Sequence, residues 1–311
     1  MHKLLYKIST IVLFTIICTL VADPVRAQEP PGTIVRVMTY NACRGGTYQG
    51  QPLSQSAKMI KLAKADIVGL QEIGENVPML AEMLGWNHSG PFLTRFEIVQ
   101  HVKGMGKRPW DGIKVKLPSG QHAYVFNAHL PSGPNQAYQL MGLTGGYRSY
   151  PKIDTEEEAI AGAKKTRGKY IDRLLKLIKS FAVPEAPIFV VGDFNEPSHL
   201  DWTEAAVKAE LHPMKVEFPT SLMMAQAGFT DSYRTVHTDE VEKPGLTWSP
   251  VYEPDHPDHH HMRIDYVYFK GKGLKVADAR VVGEDKGHAD IVVSPYPSDH
   301  RAVVSTITLP N

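Results

Sequence analysis

The chain has 311 residues, and its 34 lysines and arginines nearly balance its 33 aspartates and glutamates. A balance this even excludes a global electrostatic field for holding a polyanion, so any affinity for nucleic acid has to come from a local patch. The two cysteines, Cys18 and Cys43, are too few for a disulfide framework, so stability has to come from a hydrophobic core.

The first 27 residues have the features of a secretory signal peptide. Lys3 and Lys7 precede an apolar stretch over 8–22, and the segment ends in the small residue Ala27. This stretch is too short for a confident membrane span, and a lipoprotein anchored through Cys18 is less favoured because the residue before that cysteine is not small. We therefore expect a signal peptide over 1–27 and a soluble, secreted or periplasmic protein without a stable membrane span, folded as one monomeric domain over 28–311.

Removal of this leader changes both the charge and the cysteine count. The mature chain keeps 31 basic and 32 acidic residues, a net charge near −1, and Cys43 is its one cysteine. An internal disulfide is then impossible, and we interpret Cys43 as a buried small residue rather than a nucleophile.

Elements in the first half of the chain follow from apolar, β-branched runs and from helical spacing. We predict a strand over 33–41, a helix over 54–65, a strand over 66–72, a helix over 76–86 with Asn76 as its N-cap, and a strand over 92–99. A basic, Gly-rich loop over 102–111 follows, and then a hairpin with arms over 113–117 and 122–127.

The second half begins with a Gly- and Tyr-rich segment over 131–154 that shows no period and is too long for a simple connection, so we interpret it as a functional loop. Thr155 and Glu158 form a capping-box pattern, which predicts a helix from there to Phe181. Further elements are predicted in this order: a buried strand over 186–191, helices over 201–210 and 223–227, a strand over 262–269 and a final strand over 302–309.

Polar side chains stand at the ends of several predicted strands, where open α/β sheets hold their ligands. Asp193 and Asn195 follow the strand over 186–191 and are two residues apart, so in extended geometry both point to one side. Standing alone, this Gly-Asp-x-Asn pattern is explained equally well by an ordinary strand-to-turn transition. The other polar residues in, at or beside predicted strands are Asn41, Glu72, His129, Asp265, Asp299 and His300.

Six short motifs in a fixed order give the chain a resemblance to a known superfamily. They are Thr39-Tyr40-Asn41, Gly69-Leu70-Gln71-Glu72, Asn127-Ala128-His129-Leu130, Gly192-Asp193-Phe194-Asn195, Arg263-Ile264-Asp265-Tyr266 and Ser298-Asp299-His300. They resemble the motifs of the endonuclease/exonuclease/phosphatase superfamily, which includes deoxyribonucleases, abasic-site endonucleases, sphingomyelinases and inositol polyphosphate 5-phosphatases. The resemblance implies an α/β (α+β) fold, a four-layer sandwich of two mixed β-sheets packed face to face with helices on the outside, and a metal-dependent hydrolase acting on phosphoester bonds.

The resemblance also implies which residues hold the metal. Glu72 would be the principal metal carboxylate, with Asn41 nearby to orient phosphate or metal-bound water. Asp299 would hold a second metal or its waters. Oxygen ligands of this kind suit Mg²⁺ or Mn²⁺ rather than zinc.

The remaining motif residues would act on the phosphate and on water, again by resemblance. Asp193 would orient and deprotonate the attacking water, while Asn195 donates a hydrogen bond to a nonbridging phosphate oxygen. His300 would contact the phosphate, with Asp265 fixing its ring and favouring its charged form. His129 would donate a proton to the leaving oxygen or stabilise it.

These features lead us to expect an exported phosphodiesterase or phosphomonoesterase with a slight preference for a small or lipid-headgroup substrate. The near-neutral charge and the short basic cluster over 103–108 do not suit a long phosphate backbone, and Tyr138, Tyr147 and Tyr150 suit a compact ligand. The 56 residues between Glu72 and His129, fewer than the superfamily usually has there, leave less surface for a duplex. Two alternatives stay open: a secreted nuclease acting on DNA or RNA, and a non-catalytic binding member of the same fold.

Two further groups of residues have a weaker claim to function. His256 and the run His259-His260-His261, with Asp255 and Asp258, have the composition of a transition-metal site, although a solvated loop is the favoured interpretation. Trp248 is interpreted as a core residue, with a substrate platform as the alternative.

Overall fold

The computed structural model describes residues 32–104, 111–143, 150–248 and 260–310, which belong to one compact unit. Thirteen strands lie within these ranges. In chain order they are β1 (Thr33–Asn41), β2 (Ile67–Gln71), β3 (Asn87–Ser89), β4 (Phe92–Thr94), β5 (Glu97–Lys103), β6 (Asp111–Lys116), β7 (His122–His129), β8 (Ile188–Asp193), β9 (Thr230–Asp231), β10 (Asp265–Lys270), β11 (Lys275–Gly283), β12 (Ile291–Val292) and β13 (Ala302–Leu309).

The strands form two mixed sheets. The seven-stranded sheet has the order β12-β11-β13-β1-β2-β4-β3, and the six-stranded sheet has the order β5-β6-β7-β8-β10-β9. Each sheet has a parallel pair near its centre, β1 with β2 and β7 with β8, flanked by antiparallel pairs, and the first sheet has a second parallel pair at its edge, β11 with β12. The parallel pairs matter for function because they bring the carboxyl ends of neighbouring strands to the same edge of each sheet.

Helices connect and cover the sheets. The longer ones are Leu53–Leu62, Val77–Leu84, Gln136–Met141, Glu156–Ala163, Lys169–Phe181 and Pro219–Gln226, with shorter ones at Glu204–Lys208 and Ser232–Val236. A π-helical segment, Lys164–Gly168, joins two of them. The predicted capping box is confirmed, since Glu158 N donates to Thr155 Oγ1 and Thr155 N donates to Glu158 Oε2, both over 3.2 Å.

Apolar side chains fill three layers of the fold. Between the sheets lie residues of inward-facing strand positions, among them Val37, Ile67, Val125, Val191 and Val303. Outside the first sheet, Met38 and Tyr40 pack with Met59 and Leu80 of the helices. Outside the second sheet, Phe126 and Val190 pack with Ile171 and Leu174. This is the predicted sandwich of two sheets face to face with helices outside, and the predicted fold class is confirmed.

Close contact between the sheets is visible at Gly69 of β2. A Cβ atom on this residue would lie 2.2 Å from Val191 Cγ2 of β8, so only glycine fits. Two buried amides join the sheets at the same level, because Gln71 Nε2 donates to Asn127 Oδ1 over 2.6 Å and Asn127 Nδ2 donates to Leu70 O over 2.7 Å. The sheets are therefore held in a fixed relative position beside the strand ends.

Some predicted elements differ from the structure. The strand predicted over 92–99 is two strands in different sheets, β4 and β5, separated by a bend at which Phe96 N donates to Thr94 Oγ1 over 3.1 Å. The basic loop predicted from residue 102 begins later, because β5 runs to Lys103. The segment predicted as a loop over 131–154 contains the Gln136–Met141 helix, which the Asn135 side chain caps.

The C-terminal part of the chain contains a strand that was not predicted. β11, nine residues long, pairs with β13 along most of its length and lies near the edge of the first sheet. The other predicted elements are confirmed with ends shifted by a few residues. None of the helices in the described parts of the chain has the length and apolar character needed to cross a bilayer.

Candidate active site

The candidate site lies where the carboxyl ends of β1, β2, β7 and β8 meet. In the second sheet, the parallel pairing places His129 beside Asp193, and the antiparallel β10 places Asp265 on the other side of Asp193. In the first sheet, Asn41 is the last residue of β1, and Glu72 follows β2 directly. Because the sheets pack face to face, residues from both meet at this edge.

Asp193 is the centre of the contacts. Its Oδ2 accepts a hydrogen bond from Asn41 Nδ2 over 3.0 Å and another from Asn195 Nδ2 over 3.1 Å. His129 Nε2 lies 3.5 Å from the same oxygen and 3.6 Å from Glu72 Oε1, and Asn41 Nδ2 also lies 3.3 Å from Glu72 Oε1. Five of the predicted site residues are thus joined by short contacts.

His300 extends this cluster through a second carboxylate. Its Nδ1 lies 3.0 Å from Asp265 Oδ2, and its Nε2 lies 3.8 Å from Asp193 Oδ2. Burial alone would lower the pKa of His300, but the carboxylates of Asp265 and Asp193 outweigh burial and raise the pKa to about 10. A pKa this high favours the imidazolium at neutral pH, which is the form that the resemblance implies for His300.

Burial has the opposite effect on Asp193. The side chain is almost completely buried, and loss of water raises its pKa, although the neighbouring His300 opposes this shift. A carboxylate with a raised pKa takes up a proton more readily than a solvated one, so Asp193 has the electrostatic surroundings of a general base.

Two site residues have an unusual backbone conformation. Glu72 has φ 55° and Asn195 has φ 48°, values that residues other than glycine seldom adopt. At Asn195 the conformation is supported by a bond of 2.8 Å from its backbone N to Asp193 Oδ1. Backbone strain of this kind is concentrated at functional sites, where the surrounding contacts maintain it.

Asp299 lies at the edge of the cluster beside Cys43. Its pKa is raised by burial, with the nearby His300 acting in the opposite direction and the charge of Glu72 adding to the rise. Within the described residues, its buried Oδ1 has no hydrogen-bond partner. Burial together with Asp299 also raises the pKa of the Cys43 thiol to about 12, so Cys43 is protonated at neutral pH, which disfavours a nucleophilic role.

These observations show which oxygens could hold a divalent cation. The carboxylates of Glu72 and Asp299 repel each other. The Asp299 oxygen without a partner and the half-exposed Glu72 carboxylate are both able to coordinate a metal ion. This hard oxygen set fits a divalent metal. Asp193, Asp265 and His300 are a second group that could hold a metal ion, with ligand atoms within 4.8 Å of one another.

The histidine cluster predicted as a loop falls partly outside the described residues, which exclude His256 and His259. His260 packs its ring against Tyr138, and His261 packs against His288.

Trp248, for which the sequence left a substrate platform as the alternative interpretation, lies beside His300. Its ring packs against His300 with 4.8 Å between the centroids, and its Nε1 donates to Tyr138 Oη over 2.7 Å. The backbone next to it is fixed as well, because Thr247 Oγ1 accepts from the backbone N of Ile264 and of Asp265. Trp248 therefore packs against the core, as the sequence interpretation has it, and is also partly accessible beside the site.

The fold and the cluster together define a class: two-sheet sandwich enzymes whose carboxylate, amide and histidine side chains converge at the strand ends. The endonuclease/exonuclease/phosphatase family model matches residues 38–300, and the chain belongs to this family. It is accordingly a hydrolase of phosphoester bonds that depends on a divalent metal.

Individual proteins resemble the chain over most of its length. An uncharacterized protein of Caenorhabditis elegans, F14F9.5, is 30% identical over 96% of this chain and 98% of its own length. The solved structure of D. rerio TDP2 complexed with single strand DNA product has a TM-score of 0.53 at 14% identity, covering 89% of this chain and 100% of that one. An AP endonuclease from Archaeoglobus fulgidus has a TM-score of 0.55 at 15% identity, covering 87% and 98%. At these identities the two structures show a shared fold.

Proposed function

We propose that the protein is an exported phosphoesterase that uses Mg²⁺ or Mn²⁺ and prefers a small or lipid-headgroup substrate. The observation that carries the catalytic part is the convergence of Asn41, His129, Asn195 and His300 on one oxygen of the buried Asp193. A base, two amides and two histidines around one point are the groups that hydrolysis of a phosphoester needs.

Each residue has a role that follows from its contacts. Asp193 orients the attacking water and takes its proton, because burial raises its pKa. His300, an imidazolium, donates through Nε2 to a nonbridging phosphate oxygen, while Asp265 holds its Nδ1. His129, exposed on one side, protonates the leaving oxygen.

Asn195 has a more specific role than the sequence predicted. Its Nδ2 donates to Leu130 O over 3.1 Å as well as to Asp193 Oδ2, so both of its amide hydrogens are engaged. A bond to phosphate would replace one of these. We assign Asn195 first to the orientation of Asp193.

Glu72 and Asp299, with Asn41 beside them, would hold the divalent cation. When bound, such an ion polarises phosphoryl oxygens and compensates their negative charge. Oxygen ligands favour Mg²⁺ or Mn²⁺ over softer metals.

The small-substrate preference is supported by the aromatic side chains beside His300. Trp248 and Tyr138 are joined by a hydrogen bond, and the Trp248 ring packs against His300. Tyr150 packs against Gly133 in the loop that follows β7. These flat side chains can cover a compact ligand. The basic cluster over 103–108 and Tyr147 lie largely or wholly outside the described residues.

A nuclease is the second candidate, and the names of two structural relatives favour it. One is an AP endonuclease, and the other was solved with a single strand DNA product. A protein that follows a long phosphate backbone releases counterions on binding, so its activity falls steeply as salt rises.

A substrate panel separates these candidates. Turnover is measured on duplex DNA, single-stranded DNA, RNA, sphingomyelin vesicles and aryl phosphomono- and diesters, at low and moderate salt, with Mg²⁺, Mn²⁺ or chelator. We expect metal-dependent turnover of the small esters or sphingomyelin with weak salt dependence. Efficient cleavage of nucleic acid with steep salt dependence would establish the nuclease, and no turnover by folded protein with any metal would favour a binding member of the fold.

Export rests on residues 1–27 and has its own test. Protein recovered outside the cytoplasm should begin at Gln28, as read by N-terminal sequencing.

A further inference from the structure

Arg167 is a completely buried arginine that lies behind the candidate site. It belongs to the π-helical segment Lys164–Gly168, and 1% of its surface is exposed. A π-helical turn is uncommon and is often found at functional sites. Because Arg167 is buried, its positive charge lies in the protein interior. Such a charge destabilises the fold unless all its N–H donors make hydrogen bonds.

The guanidinium group uses its donors on two separate loops. In the loop after β7 it donates to three backbone carbonyls, Pro131 O over 3.0 Å, Ser132 O over 3.4 Å and Pro134 O over 3.1 Å. It also donates to Gln136 Oε1 over 2.9 Å. In the loop after β8 it pairs with Glu196 Oε2 over 3.3 Å.

Glu196 is itself fixed, so it can serve as an anchor. Its Oε1 accepts from Thr220 N over 2.8 Å, and its backbone O accepts from Tyr266 Oη over 2.9 Å. Glu196 is as deeply buried as Arg167. The pair thus connects the loop that follows His129 to the residue that follows Asn195.

We propose that Arg167, paired with Glu196, is a positioning residue that sets the distance between His129 and Asp193. The inference rests on the proposed function, in which Asp193 takes a proton from the attacking water and His129 gives one to the leaving oxygen. Beyond the strand pairing, Leu130 N donates to Asp193 O, and Asn195 Nδ2 donates to Leu130 O. Arg167 holds the residues that follow Leu130 in one loop and Asn195 in the other. It thereby maintains the 3.5 Å contact between His129 Nε2 and Asp193 Oδ2.

Arginine is needed because lysine cannot make the same set of bonds. The planar guanidinium has five N–H donors in fixed directions, whereas an ammonium has three on a flexible stem. Displacement of catalytic groups by about 1 Å lowers turnover about a hundredfold. Loss of this set of guanidinium hydrogen bonds should therefore lower kcat, with a smaller change in KM.

The chain contains a matched control, Arg234. This buried arginine also pairs with one carboxylate, Asp201 over 2.7 Å, and donates to three backbone carbonyls, His237 O, Lys243 O and Pro244 O over 2.8–3.0 Å. Its three carbonyl partners lie outside both loops that Arg167 joins, and Asp201 lies beyond residues 194–196 in the loop after β8. Arg234→Lys should cost similar stability without disturbing the site.

The test compares Arg167→Lys and Arg234→Lys in the full-length mature protein by kinetics, thermal unfolding and amide hydrogen exchange. We expect Arg167→Lys to lower kcat about 10- to 100-fold with KM changed less than about threefold, and to raise exchange in residues 130–136 and 194–196. Arg234→Lys should lower the melting temperature comparably, raise exchange in 237–246 and leave kcat within about twofold. Equal loss of kcat in both variants, or an unchanged kcat in Arg167→Lys, would overturn the proposal.

A second variant and the exchange data cover the cases in which Arg167→Lys does not fold or no activity is found. If Arg167→Lys does not fold, Glu196→Gln, which keeps the shape of the acceptor, should show the same kcat-specific loss and loop exchange. If the wild-type protein hydrolyses none of the substrates, the proposed function fails, while the exchange measurement still decides the structural link. Unchanged exchange in both loops would overturn that link whatever the activity.

Discussion

Asp193 shows how one residue can combine structural and chemical demands. Its buried Oδ2 is contacted by Asn41 and Asn195 and approached by His129 and His300, and burial raises its pKa. Both oxygens accept hydrogen bonds, so an asparagine at this position keeps the size of the side chain but loses the basicity and one acceptor.

Asp193→Asn should lower kcat by about a hundredfold or more, because it keeps the shape and removes the base. The melting temperature should fall modestly, because the new NH2 group has to face N–H donors on either side. The measurement is steady-state kinetics at saturating metal, with a melting curve as the folding control. A rate like that of wild type would remove Asp193 from the mechanism.

Glu72→Gln tests the metal side separately. The half-exposed carboxylate loses its charge, so the metal concentration needed for half-maximal activity should rise about tenfold or more. Glu75→Gln is the matched control, because Glu75 is exposed three residues further on and has no role in the site. An unchanged metal titration in Glu72→Gln would contradict its role as ligand.

The residues with intrinsic chemistry could be predicted, and those that support them could not. Asn41, Glu72, His129, Asp193, Asn195, Asp265 and His300 stand at, beside or within strands in a recognisable order, and the structure brings them together, with Asp299 at the edge beside Cys43. Arg167 and Trp248 have no local pattern, because each acquires its role from partners far away in the sequence.

At the scale of elements, the face-to-face packing of the sheets depends on Gly69. Gly69→Ala places a methyl group about where Val191 Cγ2 already lies, and a buried valine has little rotamer freedom to yield. We expect a loss of about 1–3 kcal/mol in unfolding free energy, measured by denaturant unfolding.

Gly168→Ala is the control for this substitution. Gly168 has helical φ and ψ, and the nearest atom to an added Cβ lies at 3.9 Å. It should therefore leave stability unchanged or raise it by up to about 1 kcal/mol. Equal effects of the two substitutions would contradict the tight fit at Gly69.

Sequence patterns failed where the local signal is interrupted. β11 has a register shift between Val276 and Asp278, which breaks the alternation that identifies a strand. β4 and β5 read as one strand because no glycine or proline marks the bend between them. The Gln136–Met141 helix has six residues, too few to show a helical period.

At the scale of the whole molecule, acid should destabilise the fold partly through His212. Its ring stacks on Trp202 at 4.2 Å, and burial lowers its pKa to about 4. The unfolded chain binds this proton below about pH 6.5 and the folded chain only below about 4, so stability is full above 6.5 and is lost as pH falls through this window. The contribution is about 3 kcal/mol.

His212→Phe keeps a ring on Trp202 and removes the titration. Unfolding free energies of both proteins are measured between pH 7.5 and 4.5. The variant should lose about 2 kcal/mol less than wild type over this range. Parallel pH profiles for the two proteins would show that His212 is not the source.

The pairing of β1 with β13 has a consequence for folding during synthesis. β1 provides Asn41, yet one of its two neighbours is the strand over 302–309, and Thr33 lies opposite Leu309. At translation rates of about 5–20 residues per second, a nascent chain waits on the order of ten seconds to a minute before this strand emerges from the ribosome. During that time one edge of β1 has no native partner. The seven-stranded sheet is therefore completed only after the strand over 302–309 has left the ribosome, and this edge of β1 is open to other pairings until then.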